Sequence, residues 1–175
     1  ILDSPLVAGN WSNMLVSSMG IEGNIISTQQ LNKYEIEGNF ITAQCGIKGP
    51  LLSQIATEAE LSGFEFMSGF PGSLGGNIYM HASASGQSIS DKLISVDLFD
   101  IERKKEITLQ KDELDFAYRT SLLQKMPFIA LSAKFELESK PKEIIQNQVK
   151  EILEFRHTHQ PTLAIPNVGS IFRNP

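Results

Sequence analysis

The chain has 175 residues, of which 41% are hydrophobic and 20% are charged. Its 13 glycines and 8 prolines are close to the globular average, which excludes collagen, low-complexity linkers and wholesale disorder. The 20 acidic and 15 basic residues give a net charge of -5, whereas proteins that bind nucleic acid by neutralising phosphates usually carry a basic excess. We therefore expect a soluble, cytoplasmic protein that binds no nucleic acid and comprises one domain or one domain plus part of another.

The sequence predicts no membrane span, because it holds no run of about 18 apolar residues. No signal peptide is visible at its start. Cys45 lies among alternating apolar and polar residues, which favours a small buried side chain over a reactive thiol. The chain begins with Ile1 and stops at Pro175, directly after an apolar segment that contains a glycine. Neither end resembles a natural terminus, and we expect a chain that is incomplete at both ends.

Short strands and one helix are predicted in the first part of the chain. The strands are predicted at residues 5–8, 14–16, 23–26, 34–37 and 40–45. Gly38 and Asn39 are expected to join the last two strands as a hairpin. A helix is predicted over residues 50–62, since Pro50 suits a first turn and Gly63 is a typical stop.

The second half of the chain predicts further strands and a longer helix. Residues 94–99 and 106–109 favour a strand pair, joined by a solvated basic turn at residues 103–105, and residues 128–137 alternate as another strand. A helix is predicted over residues 141–157. We expect its apolar stripe to pack in the core, at Ile144, Ile145, Val149, Ile152 and Leu153. Because strands dominate and occur as hairpins, the pattern indicates an α+β fold.

Two glycine-bearing stretches are candidates for anion binding. The first loop (residues 9–13) connects two predicted strands, and its small polar residues let backbone N–H groups converge on an anion, although many ordinary turns share this composition. The glycine-rich segment (residues 68–77) holds four glycines within eight positions. It matches neither the P-loop nor the dinucleotide fingerprint. A phosphate or cofactor cradle of another kind and a tight structural corner both remain open.

Two later stretches carry polar side chains that suit a ligand. In the arginine segment (residues 116–121), Arg119 stands among aromatic and hydroxyl residues and can bind a carboxylate in bidentate fashion. An isolated arginine is more often a surface residue or part of a structural ion pair. The final stretch (residues 166–175) places a hydroxyl, two amides and a cation between prolines, which suits a ligand or an ordinary turn. The three histidines form no ligand pattern, and no metal site is predicted.

In order and spacing, these four stretches resemble the MurB family, the UDP-N-acetylenolpyruvoylglucosamine reductases of peptidoglycan synthesis. The family's Pro-Gly-Ser-x-Gly-Gly, Ile-x-Asp and Phe-Gly-Tyr-Arg-x-Ser motifs correspond to residues 71–76, 89–91 and 116–121. Its Pro-Asn-x-Gly-Ser-x-Phe-Lys-Asn-Pro motif corresponds to residues 166–175, with Arg173 in place of lysine. The resemblance covers essentially the whole chain.

The resemblance implies an α+β fold with two domains. Residues 1–138 would form a FAD-binding domain of the vanillyl-alcohol-oxidase (PCMH) type, whose first strands are missing. Residues 139–175 would begin the C-terminal substrate-binding domain, whose remainder is missing. The implied protein is a cytoplasmic monomer that acts on a UDP-sugar.

The resemblance also implies a reaction. NADPH reduces FAD, and the flavin then passes a hydride to the enolpyruvyl ether of UDP-N-acetylglucosamine, which gives UDP-N-acetylmuramate. Arg119 corresponds to the arginine that stabilises the developing negative charge, and Ser170 corresponds to the serine that donates a proton. The implied FAD contacts are Gly9, Asn10, Trp11, Ser12, Asn13, Pro71, Gly72, Ser73, Gly75, Gly76, Gly86 and Ile89. The implied substrate contacts are Tyr118, Arg119, Asn167, Gly169, Ser170, Arg173 and Asn174.

Several positions depart from the family pattern. Trp11 stands where the family has glycine, His81, Ser83 and Ser85 fall in the family's Asn-Ala-Gly-Ala-Tyr-Gly segment, and Ala117 replaces another glycine. The family's glutamate near its C-terminus has no counterpart here. These departures keep a second hypothesis open, a degenerate non-catalytic module of the same fold that binds flavin or nucleotide. A flavin oxidase that tethers FAD through a histidine fits less well, because the first loop holds no histidine.

Overall fold

The structure is a computed structural model, and it describes residues 5–161 and 172–173. The strands are β1 (Leu6–Ala8), β2 (Ile25–Ser27), β3 (Tyr34–Glu37), β4 (Phe40–Gln44), β5 (Leu61–Ser62), β6 (Ser83–Ala84), β7 (Gln87–Ser88), β8 (Leu93–Asp100), β9 (Lys105–Gln110), β10 (Phe128–Glu136) and β11 (Glu138–Ser139). The α-helices are α1 (Gly49–Glu58), α2 (Leu74–Tyr79) and α3 (Lys142–His159). Short 3₁₀ helices occupy Glu65–Gly69, Lys111–Leu114 and Leu122–Gln124. Within the described residues, no helix is long and apolar enough to cross a membrane.

A five-stranded antiparallel sheet, in the order β3-β4-β10-β8-β9, lies at the centre of the structure. β10 pairs with β4 on one side and with β8 on the other, so Ala133 stands opposite both Ala43 and Val96. Alternate side chains of these strands meet α1 and α2 in one hydrophobic core. In that core Phe64 packs edge-on against Phe135, with ring centroids 4.9 Å apart. The α+β class predicted from the sequence is confirmed.

Both predicted hairpins are present, but one predicted strand is not. β3 and β4 pair around Gly38 and Asn39, and β8 and β9 pair around the exposed basic turn. Residues 14–16 join no sheet, and Leu15 is 97% exposed. A short apolar run forms a strand only where a neighbouring strand offers a hydrogen-bonding partner, and this run has none among the described residues.

The predicted helix over residues 50–62 is present but shorter. α1 ends at Glu58, because Glu60 adopts a left-handed φ of 56° and the chain turns there. The next two residues form β5, which pairs with β11. Gly63, the expected helix stop, instead follows β5 with a φ of 137°, a conformation that favours glycine. The tertiary pairing with β11 therefore ends the helical region earlier than the apolar spacing predicts.

The helix predicted at residues 141–157 is present as α3, but its apolar stripe is mostly not in the core. Ile145 is the one buried residue of α3, whereas Ile144 and Leu153 are 48% and 43% exposed. The prediction that the whole stripe packs in the core is therefore wrong for the described residues. Spacing of three and four predicts a helix and its apolar face, but it does not say how much of that face is covered.

The segment after residue 138 contacts the preceding part of the chain directly. β11 pairs with β5, and α3 packs on α1 and on the Glu65–Gly69 turn. Arg156 of α3 lies over the Phe70 ring, 5.8 Å from its centre. A Cβ on Gly69 would come 2.3 Å from the Arg156 Nε. The absence of a side chain at Gly69 therefore allows Arg156 to lie this close to the backbone. The division into domains at residue 138 stays a prediction.

Cys45 is fully buried, as its neighbours predict. Its N–H donates to the Leu131 carbonyl at 2.8 Å. Burial raises the pKa of the Cys45 thiol far above its usual range, and the negative charge of Asp97 raises it further. The side chain is a packed, uncharged thiol.

Candidate functional site

The first loop and the glycine-rich segment lie against each other. Gly9 packs so closely on Ser73 that a Cβ on Gly9 would come 2.1 Å from the Ser73 Oγ. The side-chain amide of Asn10 donates to the Pro71 carbonyl. The fold thus brings together the two stretches that the sequence marks as candidate anion-binding elements.

Backbone donors of the first loop make no hydrogen bonds to other described residues. Trp11 has a left-handed φ of 61° among neighbours with ordinary negative φ. Such an alternation is typical of the backbone concavities that bind phosphates and other anions. No hydrogen bond between described residues uses the N–H groups of residues 10–13. The loop therefore offers donors to an anion, and these donors do not depend on the side chain at Trp11.

The glycine pair of the glycine-rich segment serves the packing of α2. Ser73 caps this helix, because its Oγ accepts the Gly76 N–H at 3.3 Å. The Gly75 N–H donates to the Cys45 carbonyl at 2.7 Å, and a Cβ on Gly75 would lie 3.1 Å from the Cys45 Cβ. The tight structural corner left open by the sequence is therefore present here. FAD contacts at Gly75 and Gly76 stay predictions, with both N–H groups already used by the fold.

The arginine segment forms a tight turn. Ala117 and Thr120 exchange two backbone hydrogen bonds, which places Tyr118 and Arg119 at the corner. Arg119 has a left-handed φ of 57°, and its Nη1 donates to the Ser83 Oγ at 3.4 Å. Its guanidinium lies 5.4 Å from the centre of the Tyr118 ring. The turn thus fixes the base of the Arg119 side chain, and a single side-chain hydrogen bond of Arg119, to Ser83, is formed within the described part of the chain.

Arg119 is half-buried, and no described carboxylate lies within ion-pair distance of it. The structural ion pair that the sequence left open is therefore not formed among these residues. A guanidinium that is partly desolvated and keeps several donors fits a carboxylate or phosphate ligand.

Side chains near the arginine turn attach it to the last residue of α2. The Ser121 hydroxyl and the Gln124 amide both donate to the Tyr79 carbonyl, at 2.9 and 2.7 Å. Gln124 also donates to the carbonyl of Arg119 at 3.0 Å. The Ser73 junction and the arginine turn therefore lie at opposite ends of α2, which is about 9 Å long. The sequence did not identify Gln124, because a glutamine beside leucines carries no distinctive pattern.

The β6–β7 hairpin lies beside the same turn. Ser85 and Gly86 form its corner with φ values of 52° and 75°, as a two-residue hairpin requires. Ile89 lies in the hydrophobic core, and its N–H donates to the Ala82 carbonyl at 3.0 Å. The Ile89 side chain is buried in the core, and the FAD contact at Ile89 stays a prediction. The prediction for Gly86 stands untested.

The remaining predicted contacts fall mostly outside the described residues. Asn167, Gly169, Ser170 and Asn174 lie there, so their predicted roles stay predictions. Arg173 is described and is exposed.

Comparisons with known proteins agree with this arrangement. Residues 4–104 match the family model of the FAD binding domain. The chain is 39% identical to UDP-N-acetylenolpyruvoylglucosamine reductase of Lactococcus lactis subsp. cremoris, over 99% of this chain and 58% of that protein. It is 41% identical to the same-named protein of Clostridium beijerinckii, over 97% of this chain and 55% of that protein.

A solved structure shows the same fold. The crystal structure of UDP-N-acetylenolpyruvylglucosamine reductase (MurB) from Thermus caldophilus matches with a TM-score of 0.86 and 31% identity. The match covers 98% of this chain and 61% of that one, so the chain spans little more than half the length of such relatives. The resemblance predicted from the four stretches is confirmed. The chain belongs to the FAD-binding domain family, in which it is similar to MurB over nearly its whole length.

Proposed function

We propose that the protein is a flavin-dependent oxidoreductase that uses NADPH to reduce UDP-N-acetylglucosamine enolpyruvate to UDP-N-acetylmuramate in peptidoglycan synthesis. The observation that carries this proposal is the placement of two elements at the two ends of α2. One end has a loop whose backbone donors make no hydrogen bond to a described residue, and the other has Arg119, which has no ion-pair partner among the described residues. We place the enzyme in the cytoplasm as a monomer.

The first loop would hold the pyrophosphate of FAD. The N–H groups of residues 10–13 suit a doubly charged group, and Ser12 and Asn13 add side-chain donors. Backbone donors also explain how the site tolerates Trp11 where relatives of the family have glycine. Bound FAD supplies the acceptor and donor of a hydride between NADPH and the substrate.

Arg119 would bind the carboxylate of the enolpyruvyl group. Negative charge grows on that side of the substrate as the vinyl carbon receives hydride, and a guanidinium held by the fold stabilises it without reorganisation. Gln124 holds the backbone carbonyl of Arg119, and the contact with Ser83 restricts its side chain before substrate arrives. Tyr118 stands beside it at the turn and is the neighbouring substrate contact.

Ser170 would supply the proton that the substrate takes on its other carbon. A serine hydroxyl is a weak acid in water, but it can protonate a strongly basic carbon when it is held in place. Asn167, Gly169, Arg173 and Asn174 would complete the contacts to the UDP-sugar.

The test uses the protein at its natural length. After incubation with FAD and gel filtration, we expect the protein to retain a flavin absorption band at about 450 nm. In a separate assay, we expect the protein to oxidise NADPH only when UDP-N-acetylglucosamine enolpyruvate is present. UDP-N-acetylglucosamine without the enolpyruvyl group is the control and should not support oxidation. A protein that keeps FAD but never oxidises NADPH with the substrate would instead be the non-catalytic module. A colourless protein would overturn the proposal and favour the non-catalytic module, as one that binds nucleotide rather than flavin.

A further inference from the structure

His81 connects the hairpin beside the site to the arginine turn. It adopts a left-handed φ of 44°, directly after α2, and its ring lies 4.7 Å from the Phe116 ring at a tilt of 31°. Its Nδ1 lies 2.8 Å from the Ala117 carbonyl oxygen. Its Nε2 lies 2.8 Å from the Ser90 Oγ. The imidazole therefore lies between two segments of the site and contacts both.

The contact with Ser90 continues as a chain of hydrogen bonds that ends on a carboxylate. The Ser90 Oγ lies 3.1 Å from the Ser88 Oγ, and the Ser88 hydroxyl donates to Asp91 Oδ1 at 2.5 Å. The other carboxylate oxygen, Oδ2, accepts the Ser88 N–H at 2.8 Å. Three consecutive contacts thus join His81 Nε2 to Asp91 Oδ1.

The contact with Ala117 fixes one hydrogen of the ring. A carbonyl oxygen only accepts, so Nδ1 carries the hydrogen that bonds Ala117. The Ser90 hydroxyl can both donate and accept, so it can bond Nε2 whichever of the two atoms donates.

We propose that His81, with a hydrogen on Nδ1, is a positioning residue for Arg119. Its Nδ1–H holds the Ala117 carbonyl, which is also one of the two acceptors that close the turn. Its Nε2 contacts the Ser90 hydroxyl, from which further contacts continue through Ser88 to Asp91. The inference rests on the proposed function, because Arg119 is the group that it positions. At this position the family pattern has asparagine, so the device belongs to this chain.

Several charged side chains belong to the segments around His81. The segments that contact it carry Asp91, Asp115 and Arg119 as charged groups, and Tyr79 and Tyr118 as further titratable ones. Asp115 is an ion-pair partner of Lys125, and Arg119 contacts Ser83 on the neighbouring hairpin. Asp91 is thus the carboxylate connected to His81 by hydrogen bonds.

The protons can be observed by nuclear magnetic resonance on the FAD-loaded, natural-length protein with ¹⁵N-labelled histidine. We expect the Nδ1 of His81, assigned with His81→Asn, to carry a hydrogen that is bonded to a carbonyl oxygen. The signals of His157 and His159, on α3, are internal controls. A His81 ring without a hydrogen on Nδ1 in the unaltered protein would overturn the proposal.

Kinetics test the positioning role separately. We expect His81→Ala to slow reoxidation of the reduced flavin by the UDP-sugar by between about tenfold and 100-fold, since a misplaced catalytic group costs about that much. Flavin reduction by NADPH should stay within about twofold. His81→Asn should restore most of the loss, because its amide can donate to the Ala117 carbonyl and asparagine tolerates positive φ. His157→Asn, on the exposed part of α3, is the matched control.

Two results would separate the proposals. Equal slowing of both half-reactions by His81→Ala, or no slowing, would contradict the positioning of Arg119. If the unaltered protein binds FAD but shows no turnover with the UDP-sugar, the proposed function fails and the positioning role fails with it. The resonance experiment still decides, by itself, whether the Nδ1–H of His81 holds the Ala117 carbonyl.

Discussion

Gly9 and Ser73 are in such close contact that the two loops of the site form one surface. A Cβ on Gly9 would meet both the Oγ and the Cβ of Ser73, at 2.1 and 3.2 Å. Ser73 is also the cap of α2. The position of the first loop is therefore tied to the start of the helix whose other end carries the arginine turn.

Gly9→Ala should disturb this junction. The new methyl group collides with a side chain that is itself held by the helix cap, so we expect a loss of about 1–3 kcal/mol in the free energy of unfolding. FAD affinity should fall as well, because the first loop must move away from α2. Urea unfolding and a fluorescence titration with FAD measure the two effects.

A second substitution shows whether the collision is the cause. Ser73→Gly removes the colliding atoms, and glycine at a helix cap costs only a few tenths of a kcal/mol. The double variant should regain most of the stability lost by Gly9→Ala, with a coupling energy of at least about 0.5 kcal/mol. Additive losses would show that Gly9 is needed for a reason other than its contact with Ser73.

Arg119→Lys keeps the charge but removes the planar pair of donors. We expect the rate of flavin reoxidation by the UDP-sugar to fall by about 100-fold or more, as for the loss of a group that stabilises transition-state charge. Flavin reduction by NADPH should be little changed. Stopped-flow absorbance separates the two half-reactions.

The matched control for Arg119 is Arg103→Lys, in the exposed turn between β8 and β9. Arg103 lies 3.7 Å from Asp100, and its side chain is 68% exposed. We expect no change in either half-reaction. Unchanged reoxidation in Arg119→Lys would remove this residue from the site.

Ser170→Ala should leave flavin reduction by NADPH intact while turnover of the UDP-sugar falls by orders of magnitude, because the variant lacks the proton donor. Ser170→Cys keeps a dissociable proton and should retain part of the activity. Product analysis in deuterated water follows the proton directly. Equal loss in both half-reactions would show a defect in binding or folding rather than in protonation.

The local features of the fold could be predicted from the sequence, and the long-range ones could not. The hairpin around Gly38 and Asn39 was predicted because its two strands and its turn are formed by residues that are adjacent in the sequence. β5 was missed, because its partner β11 lies more than 70 residues further along the chain. The apolar stripe of α3 predicted the helix, but burial of Ile145 rather than Ile144 depends on what the helix contacts.

The candidate site also has local features that the sequence predicts and long-range features that it does not. Arg119 and the glycines belong to short motifs, which can be recognised without a structure. The role of Gln124 depends on the carbonyls of Tyr79 and Arg119, which only the folded chain brings to it. The chain of hydrogen bonds from His81 to Asp91 likewise needs the β6–β7 hairpin to close.

Ile145→Ala and Leu153→Ala should differ strongly in their effect on stability. Ile145 is 1% exposed, so its truncation leaves a cavity and should cost about 2–5 kcal/mol. Leu153 is 43% exposed, and its truncation should cost less than about 1 kcal/mol. Urea unfolding of both variants measures the difference. Similar losses would show that the outer face of α3 is covered in the natural-length protein.

The buried thiol of Cys45 should make stability fall at alkaline pH. Burial raises the pKa of Cys45 in the folded protein, whereas the thiol of the unfolded chain has a pKa of about 8.5. The contribution of the uncharged thiol to the free energy of unfolding is therefore fully present below the pKa of the unfolded state. It is lost as the pH rises above that pKa, by up to about 1.4 kcal/mol per pH unit.

Cys45→Ala tests this contribution. The variant removes the ionisable group, so the difference in free energy of unfolding between it and the unaltered protein should shrink between pH 8 and pH 10. Tyrosines and lysines titrate in both proteins, and their effects cancel in the difference. A second reading comes from thiol reagents, which should modify Cys45 only as fast as the protein opens, since the buried side chain is an uncharged thiol. A constant difference in stability, together with rapid modification of the folded protein, would show that the thiol ionises without unfolding.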